Sequence, residues 1–375
     1  MTGAIETLRV HRIEVPLVRP FVTAVRTATS IAVTLVEAVD SDGRSGWGEA
    51  PISWRVTGES PESVRAAVLG PLAEAVVGGD PADLAVLVGE LPRRLIGNAA
   101  ARSAVDCALH DLAAQQAGLP LYVYLGGAVG TVRTDMTLSA GPVDELGPEA
   151  FRWSQAGFGT LKVKAGAGHD DVEVLRAVRD AVGPDVRLRV DANQGWAPRE
   201  AVRIITAWED AGLDVEFVEQ PVSARSPDDL EFVSSQVHTP ILADEAAWTS
   251  CDLLEIVKRR AADLVNVKLA KSGGLLEAQR MIAVAQSSGV GVLVGSMMES
   301  HVGIAAAASL AASAGVSSGE ARRWGTSVRD ASHDLDAGLW LADSPVSGGV
   351  DYRGDLIVLS GSGGLGIRGL AGSEE

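Results

Sequence analysis

The segment LKVKAGAG, residues 161–168, sets Lys162 and Lys164 one residue apart at the end of a short β-branched run. Lysine is a poor strand former, and two ammonium groups on one strand face repel each other. A strand that ends this way has a use for charge at its end. The same feature recurs downstream. VRLRVDAN (186–193) ends in Asp191, VEFVEQP (215–221) in Glu219, PILADE (240–245) in Asp244 and Glu245, and DLVNVKL (263–269) in Lys268. From Asp191 onward each charge follows the last by 24 to 28 residues, the length of one strand plus one helix. VRTDMTL (132–138) precedes the series and VGVLVG (290–295) follows it, with amphipathic segments such as 170–182 and 275–288 between strands. Seven such units, with an eighth strand expected near Asp334, make the count of an α/β protein built as a (β/α)8 barrel. A doubly wound open sheet is the alternative. No Gly-rich phosphate loop opens any of the helices, which leaves a nucleotide-binding fold little support.

The rest of the chain organises around that barrel. Among 375 residues, 46% are hydrophobic, enough for a barrel and a smaller partner domain. TLRVHRIEVPL (7–17) alternates in polarity, and AVTLVEAVDSDGRSGWGEA (32–50) reads as a hairpin turning at Ser41-Asp42-Gly43. Helical periodicity follows from about residue 60 to 88 and again from 98 to 117. Strands before helices predict an α+β unit over 1–128, the barrel over 129–339, and a Gly- and Ser-rich segment, 340–375, returning to the first unit.

The net charge of −17 argues against a nucleic-acid partner. Two cysteines without metal-ligand spacing fit a reducing compartment better than a disulfide framework. The start of the sequence has no signal-like segment, and the apolar stretch VGIAAAASLAAS (302–313) is too short to span a membrane. A cytoplasmic protein without membrane partners is expected, with room for a homo-oligomer.

In a barrel, catalytic groups stand at the C-terminal ends of strands. Asp191, Glu219 and Asp244 end three neighbouring strands, so three carboxylates converge on one side of the mouth. They would repel without a cation, and oxygen-only ligation suits Mg²⁺; no histidine accompanies them to suggest zinc. Lys162 and Lys164 point the same way, from a strand four places round the ring from that of Lys268. Lysines on opposite faces of a metal-held carboxylate suit proton removal on one side and proton return on the other, a racemisation or epimerisation. Cations nearby are expected to lower a lysine toward the neutrality a base needs. A Schiff-base aldolase is the mechanistic rival, but it leaves the three carboxylates without a purpose.

KVK, DAN, EQP, DE and VKLAKSGG, together with GWGEA (46–50) and ALHDLAAQQAGLPLYVYLGG (108–127), resemble the enolase superfamily in its muconate lactonizing enzyme subgroup. The resemblance covers nearly the whole chain. It implies a capping α+β domain, closed by the C-terminal segment, over a modified barrel that binds Mg²⁺. It implies Asp191, Glu219 and Asp244 as metal ligands, Lys164 and Lys268 as the two bases, and Lys162 holding the substrate carboxylate. HDLDAG (333–338) resembles the D-x-D with which dipeptide epimerases of the subgroup hold a free α-ammonium, here Asp334 and Asp336. PFVTAVRTATS (20–30) resembles a capping loop whose arginine, here Arg26, meets a glutamate side chain. Thr137 and, from GSMMES (295–300), Met297 and Met298 are implied as substrate-lining residues, with Glu299 turned away or engaged elsewhere. The implied activity is epimerisation of a dipeptide, L-Ala-D/L-Glu from cell-wall peptide turnover. An N-succinylamino acid racemase or o-succinylbenzoate synthase is the alternative, and a non-catalytic metal-binding homologue a more distant one. The segment 318–332, with Arg322, Arg323 and Arg329, departs from the pattern in length, and Gly338 stands where a proline is usual.

Overall fold

The computed structural model describes residues 3–22, 27–314 and 331–372. Arg26, Arg322, Arg323 and Arg329 lie outside the described residues. In the first third, β1 (Ile5–Val22) and β2 (Thr27–Asp40) form a long antiparallel ladder, to which β3 (Ser45–Glu49) adds. The β2–β3 turn is fixed by Asp40, whose carboxylate accepts from the N–H groups of Asp42 and Arg44, and by Gly43 at a φ of 80°. Helices α1 (Pro61–Ala67), α2 (Ala73–Val76), α3 (Leu84–Arg94), α4 (Ala99–Gln116) and α5 (Leu121–Tyr124) follow. The periodicity over 60–88 is thus three helices and not one. Gly70 leaves helical φ/ψ ahead of Pro71, and Gly78, with φ at 85°, leads into the second break.

Helix α4 is buried along most of its length, and β3 lies directly on it. A Cβ on Gly46 would stand 2.2 Å from the Ala108 carbonyl oxygen, and one on Gly48 2.0 Å from that of Ala104. No residue with a side chain fits there, which gives the GWGE pattern its physical reason.

The barrel begins with β4 (Thr131–Thr134) and β5 (Met136–Leu138), separated by Asp135. It continues with β6 (Thr160–Lys164), β7 (Arg187–Asp191), β8 (Val215–Glu219), β9 (Ile241–Ala243), β10 (Leu264–Lys268) and β11 (Gly291–Gly295). Strands β5 to β11 are neighbours in that order and run parallel. The eighth position is β12 (Ser332–His333), parallel to β4, with Asp334 bridged to Gly295 of β11; this closes the ring. Helices α6 (Val143–Gln155), α7 (Asp171–Val182), α8 (Pro198–Asp210), α9 (Pro227–Gln236), α10 (Ser250–Arg259), α11 (Leu269–Ser272), α12 (Leu275–Ser288) and α13 (His301–Ser313) alternate with the strands. Inside the ring, Phe217, Leu242, Leu264 and Leu293 form an apolar layer beneath the charged one, each worth roughly 1.5–3 kcal/mol on burial. Helix α13 is the Ala-rich stretch and is buried, and no described helix is long and apolar enough to cross a membrane.

The C-terminal strands β13 (Val346–Gly348), β14 (Val350–Arg353), β15 (Leu356–Leu359) and β16 (Ile367–Leu370) join both parts. β15 pairs antiparallel with β4, while Ala342 N donates to Pro16 O at 2.9 Å and Leu365 N to Asp111 at 2.8 Å. A second tie runs from β3 to α13. Glu49 accepts from the N–H and hydroxyl of Ser300 and from Gly303 N, capping the helix with a buried carboxylate.

Candidate active site

Strand register brings the charged ends together: Lys164 stands beside Asp191, and Asp191 beside Glu219. Lys164 Nζ donates to Asp191 Oδ2 at 2.6 Å, and Lys162 Nζ lies 3.5 Å from Glu219 and 3.7 Å from Asp191. On the other side Lys268 Nζ donates to Asp244 Oδ2 at 2.8 Å and lies 3.9 Å from Glu219. Asp191 and Glu219 are fully buried and Lys164 is 9% exposed. Two residues without charge hold this array in place. Gln220, after β8, accepts from Asp244 N and Ala246 N and so sets the turn that aims Asp244. Asn266 donates to Glu219 Oε1 at 2.7 Å.

Above these groups lies a cavity of about 280 Å³. From the barrel it is lined by Thr137, Lys162, Lys164, Asp244, Lys268, Met297, Met298, Asp334 and Asp336, and from the first domain by Phe21, Trp54 and Arg55 among others. Glu299 is not among the lining residues. It is buried, accepts from Met297 N at 2.8 Å, and faces Glu49. Asp336 accepts from Thr137 N at 2.7 Å and from the Trp340 indole at 3.1 Å, which orients it. Lys162 Nζ donates to Asp334 Oδ2 at 2.5 Å, a pairing that strand patterns alone did not anticipate.

Sequence reasoning missed Lys271. It is 2% exposed and lines the cavity, and its ammonium donates to Asp244 Oδ1 at 2.5 Å as well as to the carbonyls of Asp244, Ala247 and Asn266. Its place in VKLAKSGG, on the single turn of α11, was the available signal. Asp135 was missed too. Among the described residues the acidic group with an oxygen of each member within 4.8 Å of the others is Asp135, Asp334 and Asp336, and not Asp191, Glu219 and Asp244.

The electrostatics follow from burial. Glu219 is pushed up to about 8 by burial and by Asp191, against the pull of Lys162 and Lys268. Burial would raise Asp244 too, but Lys268 and Lys271 outweigh it and hold the group below its usual range. Burial acts to lower Lys268, and Asp244 and Glu219 reverse this, so its ammonium is held above the usual value. That direction is opposite to the one expected of a base, because both carboxylates spend their charge on it.

The donor set fits a hard divalent cation. Glu219 Oε2 is buried with no hydrogen-bond partner, Glu245 Oε2 likewise, and the ligating atoms on offer are all carboxylate oxygens. Chemically, the arrangement is a charged cradle with an amine on either side and an acidic pair opposite.

Residues 145–368 match the family described as enolase C-terminal domain-like, and residues 4–126 match the mandelate racemase / muconate lactonizing enzyme N-terminal domain. The L-Ala-D/L-Glu epimerase of Bacillus subtilis is 40% identical over 97% of this chain and 96% of its own. The substrate-liganded structure of the L-Ala-D/L-Glu epimerase from that organism superposes with a TM-score of 0.92 at 39% identity, over 98% of this chain and 99% of that one. A dipeptide epimerase of Enterococcus faecalis, solved with Mg and L-Leu-L-Tyr, gives 0.89 at 35% identity, over 97% and 99%. The chain belongs to the mandelate racemase / muconate lactonizing enzyme family of the enolase superfamily.

Proposed function

We propose that this protein is a cytoplasmic, Mg²⁺-dependent dipeptide epimerase that inverts the α-carbon of the C-terminal residue, with L-Ala-D/L-Glu as substrate. The observation that carries this reading is the placement of Lys164 and Lys268. Each meets a different member of one carboxylate array, Asp191 and Asp244, from strands four places apart in the ring. Supporting it, a relative matched over nearly the full chain is an L-Ala-D/L-Glu epimerase, and a similar solved structure is a dipeptide epimerase complexed with Mg and L-Leu-L-Tyr. Two free cysteines agree with a reducing compartment.

Asp191, Glu219 and Asp244 are the residues that would hold Mg²⁺, which would supply positive charge beside the substrate carboxylate as the α-proton leaves. With Asp244 and Glu219 engaged by that charge, Lys268 would lose what raises it and its amine would fall toward the range a base needs. Lys162 steadies the substrate carboxylate. Lys164 takes the α-proton on one face and Lys268 returns one on the other; the reverse pair of transfers serves the other epimer. Asp334 and Asp336 receive the α-ammonium, with Thr137, Met297 and Met298 along the substrate backbone. Arg26, outside the described residues, is assigned to the glutamate side chain.

The test is incubation with L-Ala-L-Glu and Mg²⁺ in D2O, followed by NMR. Deuterium entering the glutamate α-position, together with appearance of the second epimer, supports the reading. Absence of exchange across a dipeptide library overturns it.

A further inference from the structure

We infer that Asp135 is a third carboxylate of the subsite for the substrate's α-ammonium, a positioning residue that makes the enzyme discriminate free dipeptides from N-acylated ones. The inference rests on the proposed epimerase reading for the identity of the ligand, and on the following geometry for the residue.

Asp135 sits in the gap between β4 and β5, held there by its N–H, which donates to His333 O at 2.8 Å. It is fully buried and stands two residues before Thr137. Thr137 lines the cavity and Asp135 does not. An oxygen of Asp135 comes within 4.8 Å of one from each of Asp334 and Asp336. Asp135 Oδ2 accepts from Arg189 at 2.9 Å, but Oδ1 has no hydrogen-bond partner. A buried carboxylate oxygen left unpaired is costly, and positive charge seated nearby on Asp334 and Asp336 would offset part of that cost through space.

The local charges are out of balance in the same direction. Arg189 is divided between Asp135 and Glu216, to which its Nε donates at 2.6 Å. Lys162 is divided among Asp334, Asp191 and Glu219. The cations near the three carboxylates are thus shared with other acidic groups, and burial together with Asp334 pushes Asp135 up to about 7. An α-ammonium seated on Asp334 and Asp336 adds positive charge there. An N-acyl group in its place brings no charge and leaves the cluster repelling itself, so Asp135 adds to the selectivity without touching the substrate.

The experiment compares L-Ala-L-Glu with N-acetyl-L-Ala-L-Glu in the unaltered protein, Asp135→Asn and Asp135→Glu, each with Mg²⁺. Affinity is read by calorimetry, and KM and kcat by α-deuteration. In Asp135→Asn the affinity for the free dipeptide falls about tenfold or more, as for loss of a buried negative charge close to the ligand's ammonium. KM rises with it, while kcat changes only a few-fold, and the preference over the N-acetyl form falls by a similar factor. Asp135→Glu, which keeps the charge, keeps most of the preference. Equal weakening of both ligands, or an unchanged preference, overturns the inference in favour of a purely structural tie to Arg189. Should only Asp135→Glu melt cooperatively, its preference decides: retained supports the inference, lost overturns it. An unaltered protein that binds the free dipeptide selectively yet exchanges no α-proton overturns the epimerase reading alone.

Discussion

The ammonium of Lys162 donates to Asp334 Oδ2 at 2.5 Å, linking the second and eighth positions of the barrel across its interior. In the proposed reaction these two groups hold opposite ends of the dipeptide. Without substrate Asp334 is the nearest of the three carboxylates that share Lys162, so binding exchanges this buried ion pair for contacts to the two ends of the ligand.

Asp334→Asn therefore does two things: it weakens the ammonium subsite and leaves Lys162 with the carboxylates of Asp191 and Glu219. Removing one partner of a buried pair costs on the order of 3–5 kcal/mol. We predict a loss of kcat/KM for L-Ala-L-Glu of two orders of magnitude or more, measured by α-deuteration. Activity within a few-fold of the unaltered protein would show that Asp334 has no part in holding the substrate.

Lys271 fixes Asp244 through its ammonium while three carbonyls hold that ammonium in turn. Lys271→Met keeps most of the unbranched side chain, one heavy atom shorter, and removes the charge. By the behaviour of groups that orient metal ligands, Mg²⁺ affinity should fall about 10- to 100-fold. Calorimetric titration with Mg²⁺ alone measures this, and an unchanged dissociation constant contradicts it.

Glu299 and Glu49 face each other where the first domain meets the barrel. Burial, and then Glu49, pushes Glu299 up to about 8 from an ordinary 4.5. The folded state thus favours the protonated form. That contribution to stability is complete below about 4.5 and is lost as pH rises through about 8. Scanning calorimetry should find the melting temperature falling between pH 6 and 9, and falling less in Glu299→Gln, which still accepts from Met297 N. Parallel curves for the two proteins would exclude Glu299 as the source.

Gly48→Ala tests the contact of β3 with α4. The added methyl would meet Ala104 O at 2.0 Å and its carbonyl carbon at 2.9 Å, both backbone atoms that cannot turn aside as a flexible side chain could. Overpacking of this kind costs about 1–3 kcal/mol or more, so the melting temperature should drop by several degrees. An unchanged melt would mean that the strand shifts freely on the helix.

Much of this site was legible in the order of residues. Charges recurring at one strand–helix interval have few explanations other than one end of a barrel, and the structure sets Asp191 beside Lys164 and Glu219 as that interval requires. What escaped depends on distance in the chain or on local shape. Glu49 and Ser300 are 251 residues apart, and nothing in either segment marks the other. Asp135 appeared as one residue of a strand, whereas it is the break that separates β4 from β5. Lys271 lies outside the strand-end series because a single helical turn carries it back beneath Asp244. The direction of the Lys268 shift was also misread, since spacing records which charges are near and not how they divide among partners.

The central claim is that Lys164 and Lys268 serve opposite faces of one α-carbon. Lys164→Ala and Lys268→Ala are to be incubated separately with L-Ala-L-Glu and L-Ala-D-Glu in D2O and Mg²⁺, and α-deuteration followed by NMR. Each variant should lose exchange of one epimer's α-proton and retain exchange of the other's, with the two variants losing opposite epimers and neither producing net inversion. Undiminished exchange of both epimers in either variant would contradict the assignment of that lysine.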